Sequence, residues 1–180
     1  TGLAYDAVHK HIFVADTYMH DIKVFDDDGQ LLKVIGHQGE AAGEFNFPTF
    51  LAFARGELYV ADTMNSRIQV FADGGDRWRL SFGRRGLYVG NLVRPKGITV
   101  DSDGNVWVTD GQGREGKGHQ VFKFSPTGKI LMTLGKRGVA GDGRFVDQHV
   151  DDLRSRQRVP RPGHDRPGRD ASVAGRHARR

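Results

Sequence analysis

The chain contains no cysteine, and 180 residues without one exclude disulfide staples and thiol chemistry alike. No apolar run approaches the ~18 residues that a membrane-spanning helix needs, so a helical span is excluded too. Ten arginines and five aspartates between Arg144 and Arg180, with no lysine, account for the whole formal excess of +5, which leaves the first 143 residues neutral. Nucleic acid, drawn by overall charge, is therefore not the expected partner of that larger part. With 37% hydrophobic residues and 25 glycines, the composition fits a β-rich domain with many turns. The sequence opens on Thr1, inside a repeat and without methionine. The natural N-terminus, with any targeting signal, is expected to be missing, which leaves the compartment undetermined and an extracytoplasmic one open.

What the sequence does contain is repetition. ELYVADTMNSRIQVF (57–71) joins an apolar run to a second apolar alternation through a polar corner, the outline of a β-hairpin. HIFVADTYMHDIKVF (11–25) precedes it, and NVWVTDGQGREGKGHQVFKF (105–124) follows. The corner aspartates Asp16, Asp62 and Asp110 lie 46 and 48 residues apart, so the chain counts in units of about 47.

Each unit reads as four short strands with tight turns, one antiparallel meander. The first runs over about 1–36, the second over 45–83 and the third over 91–135. Pro48 follows Gly36 by 12 residues and Pro95 follows Gly83 by 12, and equal linkers imply equal geometry between successive sheets. In the third unit the corner loop has gained several residues (GQGREGKGH, 111–119), either a loop on one rim or a harmless solvated insertion. Phe145 arrives where the next unit needs it, and then the pattern stops. Residues 144–180 offer no strand alternation. A basic nucleic-acid arm, a disordered tail and a reading-frame shift in a GC-rich gene all fit an Arg-rich stretch, and the last fits its abrupt start inside a linker best.

The opening PKGITVD, the strands LYVAD and VWVTD, and the segment NSRIQVF resemble NHL repeats, the blades of a β-propeller. The resemblance covers residues 1 to about 143 and implies an all-β fold: a partial propeller of about three four-stranded antiparallel blades, half of a six-bladed parent, followed by the irregular tail at 144–180. Val60, Ile68 and Val70 are expected to fill the core between sheets. Closed propellers need about four to eight blades, so three leave two open faces, which further blades or another copy of the chain would have to cover.

The third unit also resembles the peptidyl-α-hydroxyglycine α-amidating lyase branch of the superfamily. That resemblance implies a zinc enzyme, a carbon–nitrogen lyase, in which a histidine after the proline opening a blade supplies a metal ligand. Here Lys96 stands after Pro95, Thr49 after Pro48, and Thr1 takes the place in the first unit. None is a histidine, and an ammonium repels a metal. Zinc, and calcium with it, is therefore expected only in a full-length relative, and no cofactor is evident in this chain.

Function is accordingly expected to be that of a binding scaffold. Thr49 and Lys96 are the candidate ligand-binding residues at the mouth of the propeller, Lys96 facing an anionic group of a peptide, small molecule or protein partner. Asp16, Asp62 and Asp110 are expected to be structural, accepting backbone N–H bonds in the turn that follows each. His119 as a metal ligand is disfavoured by its place in the blade body. His9, His11, His20 and His37 are expected to be solvated. DDDG (26–29) lacks the spacing of a calcium loop and reads as a hairpin turn.

Overall fold

A computed structural model describes residues 1–86, 90–111, 120–135 and, as backbone, 145–146. The long corner loop with His119, and the tail apart from that last pair, lie outside the described residues.

Apolar residues at every second position, broken by short turns, dictate strands. The chain forms β1 (Leu3–Asp6), β2 (His11–Asp16), β3 (Asp21–Phe25) and β4 (Leu31–Ile35); then β5 (Pro48–Ala54), β6 (Glu57–Asp62), β7 (Arg67–Ala72) and β8 (Arg77–Phe82); then β9 (Pro95–Val100), β10 (Val106–Asp110), β11 (Gln120–Phe124) and β12 (Ile130–Leu134). Each group of four makes one antiparallel sheet in strict sequence order, the meander expected from the repeat. A turn of 3₁₀ helix at Asp73–Gly75 precedes β8. The DDDG stretch closes β3 to β4, with the Gly29 amide donating to the Asp26 carbonyl at 3.1 Å.

Residues Phe145–Val146 form a thirteenth strand, β13, antiparallel to β12 with Leu134 opposite Phe145. The repeat places Phe145 in a linker leading to a further blade. In the two earlier linkers the corresponding residues make single parallel bridges, Gln38 with Phe45 and Arg85 with Leu92, so here the chain turns back instead.

The first strands β1, β5 and β9 are neighbours, which places them innermost, with the sheets fanned out behind them as blades. Two apolar seams hold the fan. Phe13, Ala15, Ile22 and Val24 of the first blade meet Leu51, Leu58, Val60 and Phe71 of the second. Tyr59, Ala61, Ile68 and Val70 of the second meet Val106, Val108, Phe122 and Phe124 of the third. The middle blade is thus covered on both faces, and every residue of β6 after Glu57 is buried, whereas β2 and β10 alternate. β2 carries an equally unbroken apolar run, IFVA, but leaves Ile12 and Val14 half-buried, since among the described residues no sheet packs on the second face of the first blade.

Each linker plugs its seam with one apolar residue, Phe45 in the first and Leu92 in the second, both fully buried. The plug needs a glycine at the head of the linker. Gly36 and Gly83 have φ of 76° and 88°, the left-handed region. A Cβ on Gly36 would meet the Phe45 ring at 2.4 Å, and one on Gly83 would meet Leu92 Cδ1 at 2.6 Å. Gly29 has φ of 81° with open space around it. Gly83→Ala therefore combines backbone strain with a clash and is expected to cost about 2–4 kcal/mol, against ~1 kcal/mol for Gly29→Ala, by urea denaturation. Equal losses would show that the plug is not tight.

Candidate functional site

Thr49 and Lys96, the candidate ligand-binding residues, stand second in β5 and β9. Thr49 is half-buried and its hydroxyl lies 2.6 Å from that of Thr63. Thr63 Oγ1 donates to the Pro95 carbonyl at 2.7 Å, which leaves Thr49 to donate to Thr63. Thr17 makes the same bond one seam earlier, to the Pro48 carbonyl at 2.8 Å. The threonine that ends each ADT corner thus ties its blade to the proline opening the next. Gly111 occupies that place in the third blade and has no hydroxyl.

Lys96 is exposed, and among the described residues no hydrogen bond or ion pair engages its ammonium. Its stem passes beside Gly111, where a Cβ would meet Lys96 Cε at 3.4 Å. Thr49 and Lys96 therefore hold equivalent strand positions but differ in state: Thr49 is wired into a seam, while the Lys96 ammonium has no partner among the described residues.

The corner aspartates do something other than close the turns after them. Asp62 is fully buried and accepts from the backbone amide of Asn46 at 2.7 Å, sixteen residues upstream in the linker. Asn65 Nδ2 (2.8 Å), Arg67 Nε (2.8 Å) and Gln69 Nε2 (3.2 Å) also donate to it. Those donors reach on to the same linker: Asn65 to the Gly39 carbonyl, Arg67 to those of Glu40, Ala41 and Glu44, and Gln69 to that of Glu44. Burial is the largest influence on the Asp62 carboxyl and pushes it above its ordinary value, while the Asn46 amide, Asn65 and Arg67 pull it down.

Asp110 repeats the arrangement by accepting from the amides of Val93 (3.0 Å) and Arg94 (2.7 Å). Asp16 does not: its side chain pairs with Lys23 at 2.9 Å, and Lys23 also reaches Asp21 at 2.8 Å. A linker equivalent to those that Asp62 and Asp110 hold would fall before Thr1.

His20 departs from the expectation of a solvated ring. It is buried with φ of 58°, its Nδ1 accepts from the Phe47 amide at 3.1 Å, and its ring stands edge-on to Phe47 at 4.5 Å. His9 Nδ1 lies 2.6 Å from the buried Asp6 carboxylate. The starts of β5 and β9, Thr49 and Lys96, offer no imidazole, so they do not fit a zinc ion. Among the described residues no group of three or more histidine or carboxylate side chains is placed to hold a metal.

The family model for the NHL repeat matches residues 45–71 and 92–124. The chain is built of NHL repeats. Its relatives include the Protein brain tumor of Drosophila melanogaster, 30% identical over 138 residues, which are 75% of this chain and 12% of that protein. Peptidyl-alpha-hydroxyglycine alpha-amidating lyase 1 of the same organism is 34% identical over 91 residues, 49% of this chain and 15% of the lyase. The chain thus spans well under two thirds of either. Among solved structures, the nidogen/laminin complex contains a similar fold, with a TM-score of 0.56 at 24% identity over 75% of this chain and 49% of that one.

The NHL motif residues Asn65, Arg67 and Gln69 are linker-holding residues, a role that sequence reasoning missed. The signal was their place in the NHL motif just after the corner aspartate, but the other two repeats carry different residues there, and nothing local in the sequence points to a partner some twenty residues upstream. Replacing Asp62 with alanine leaves the Asn46 amide and the Arg67 guanidinium without their acceptor in a buried site, an expected loss of about 3–5 kcal/mol in chemical denaturation. A loss below ~1 kcal/mol would show that the linker does not depend on it.

Proposed function

We propose that this NHL-repeat chain is a non-catalytic binding scaffold whose ligand sits over the starts of β5 and β9. The observation that carries the reading is the exposed Lys96 ammonium, at the start of β9 with no partner among the described residues. An ammonium on a strand start, its stem laid against a glycine, is placed to take a carboxylate or phosphate from a peptide, small molecule or protein partner. Thr49, at the equivalent start of β5, has its proton committed to Thr63, so its oxygen can only accept. The neutrality of the first 143 residues weighs against nucleic acid as that ligand.

The similarity to an amidating lyase supports a second reading, a peptidylamidoglycolate lyase-type zinc enzyme of which this chain is an incomplete piece. The lysine and threonine at the strand starts weigh against activity in the chain itself.

One set of measurements separates the two. With hexaglutamate as the probe, calorimetry is expected to show binding that Lys96→Ala weakens about tenfold, the loss of one charge-assisted hydrogen bond. Unchanged affinity would remove Lys96 from the site. Stoichiometric zinc in the purified protein, with glyoxylate released from a hydroxyglycine-extended peptide, would replace the scaffold by the enzyme.

A further inference from the structure

The two linkers are gripped at equivalent places by different chemistry. In the second, the amides of Val93 and Arg94 both go to the Asp110 carboxylate. In the first, the Asn46 amide goes to Asp62, but the amide of Phe47, which corresponds to Arg94, goes to His20 Nδ1 at 3.1 Å. His20 ends the corner of the first blade as Ser66 ends that of the second, and the two share a positive φ, 58° and 57°. Ser66 holds the second linker by donating its hydroxyl to the Val93 carbonyl at 3.0 Å. An imidazole therefore stands where the other seam uses a carboxylate and a hydroxyl, and imidazole is the side chain whose ordinary protonation, at about pH 6.5, lies near neutrality.

The segment that His20 holds is under strain. Phe47 has φ of 51°, the left-handed region that a bulky side chain avoids, and it precedes Pro48, whose ring favours extended backbone in the residue before it. Arg94, before Pro95, has no such φ. A conformation of this kind persists only where its surroundings over-determine it. Here the His20 bond fixes the Phe47 N–H, the His20 and Tyr18 rings stand at right angles to the Phe47 ring at 4.5 and 6.0 Å, and the Met64 amide donates to the Asn46 carbonyl at 3.0 Å.

We propose that His20 is an acid-sensitive latch on the first linker, closed while its ring is neutral and opened by a proton from solvent at Nδ1. Because Nδ1 accepts from the Phe47 amide, the neutral ring carries its hydrogen on Nε2, and a second proton can add only at Nδ1. The imidazolium has N–H groups on both nitrogens and no acceptor, so a charged His20 meets the Phe47 N–H donor to donor in a buried place. Protonation and the closed latch exclude each other, and acid favours the open form. Once released, Phe47 relaxes towards extended backbone and loosens the chain two residues ahead of Thr49. The charged groups that flank the latch are engaged elsewhere: Asp16 and Asp21 with Lys23, Glu44 of the linker with the Ala41 amide and His37, and Asp62 of the second blade with the Asn46 amide and Arg67. β5, which begins at Pro48, carries no charged side chain. Among the described residues none of these groups pairs with the His20 ring to favour its charged form. The latch goes beyond the scaffold reading and does not depend on Lys96.

Amide hydrogen exchange and NMR of the His20 ring, on the full chain between about pH 7.5 and 5, test it. Protection of the Phe47 amide, corrected for the intrinsic pH dependence of exchange, is expected to fall about tenfold per pH unit once below ~6.5, in step with the charging of the ring. The Arg94 amide, held by a carboxylate, is expected to keep its protection. His20→Asn tolerates the positive φ and offers no titrating nitrogen, so in that variant the pH dependence at Phe47 is expected to vanish. Burial pushes the Asp62 carboxyl above its ordinary value, and Asp62 holds the neighbouring amide, so a loss that arose there would persist in His20→Asn. A ring that stays neutral down to about pH 5, a charged ring with the Phe47 amide still protected, or an acid loss that survives His20→Asn would each overturn the latch.

Discussion

A buried carboxylate that accepts hydrogen bonds from the segment between two sheets is the constraint on which this structure depends. Apolar seams alone do not set the angle between blades, because burial is non-directional and two sheets could slide over one another with little change in area. Direction comes from Asp62. It sits at the end of β6, takes the Asn46 amide on one side and gathers Asn65, Arg67 and Gln69 on the other, and these carry seven polar contacts between blade and linker to definite backbone atoms. With the linker fixed, Phe45 enters the first seam, Pro48 begins β5 beside β1, and Thr17 can reach the Pro48 carbonyl.

The three blades use this device to different extents. In the third, Gln120 and Phe122 stand where the second has Arg67 and Gln69. The second linker is held there by Asp110 through two backbone amides, with Leu92 as the apolar plug. In the first, Lys23 pairs with both Asp16 and Asp21. The same fold position thus ranges from a clamp on a linker to an ion pair within the blade. The strand starts follow from the same order: the seams bring β5 and β9 together, and that places Thr49 in a threonine chain and leaves Lys96 exposed.

Much of the fold was legible in the sequence because its signals are local. Alternation in HIFVAD and DIKVF, turns such as DDDG, and the 47-residue spacing require only neighbouring residues, and they gave strands, order and blade count. The buried state of Val60, Ile68 and Val70 followed from the repeat. What was not legible depends on partners distant in the chain. Asp62 looks like a turn former until the Asn46 amide is brought to it, and His20 looks like a surface histidine until Phe47 covers it. Phe145 fits the linker pattern in spacing, yet its backbone pairs with Leu134, since spacing does not specify which strand an extended segment will join. Of the candidate site, the position of Lys96 was legible from the proline before it, and the engagement of Thr49 was not.

The central claim, that the corner aspartates hold the linkers, is tested most directly by native-state hydrogen exchange at the amides of Asn46, Val93 and Arg94. These residues lie in irregular segments, where amides ordinarily exchange through local fluctuations. If Asp62 and Asp110 hold them, their protection will match that of amides in β6 and β7 and will collapse at Asn46, but not at Val93, when Asp62 is replaced by alanine. Exchange at the rate of an open loop in the unaltered chain would contradict the account.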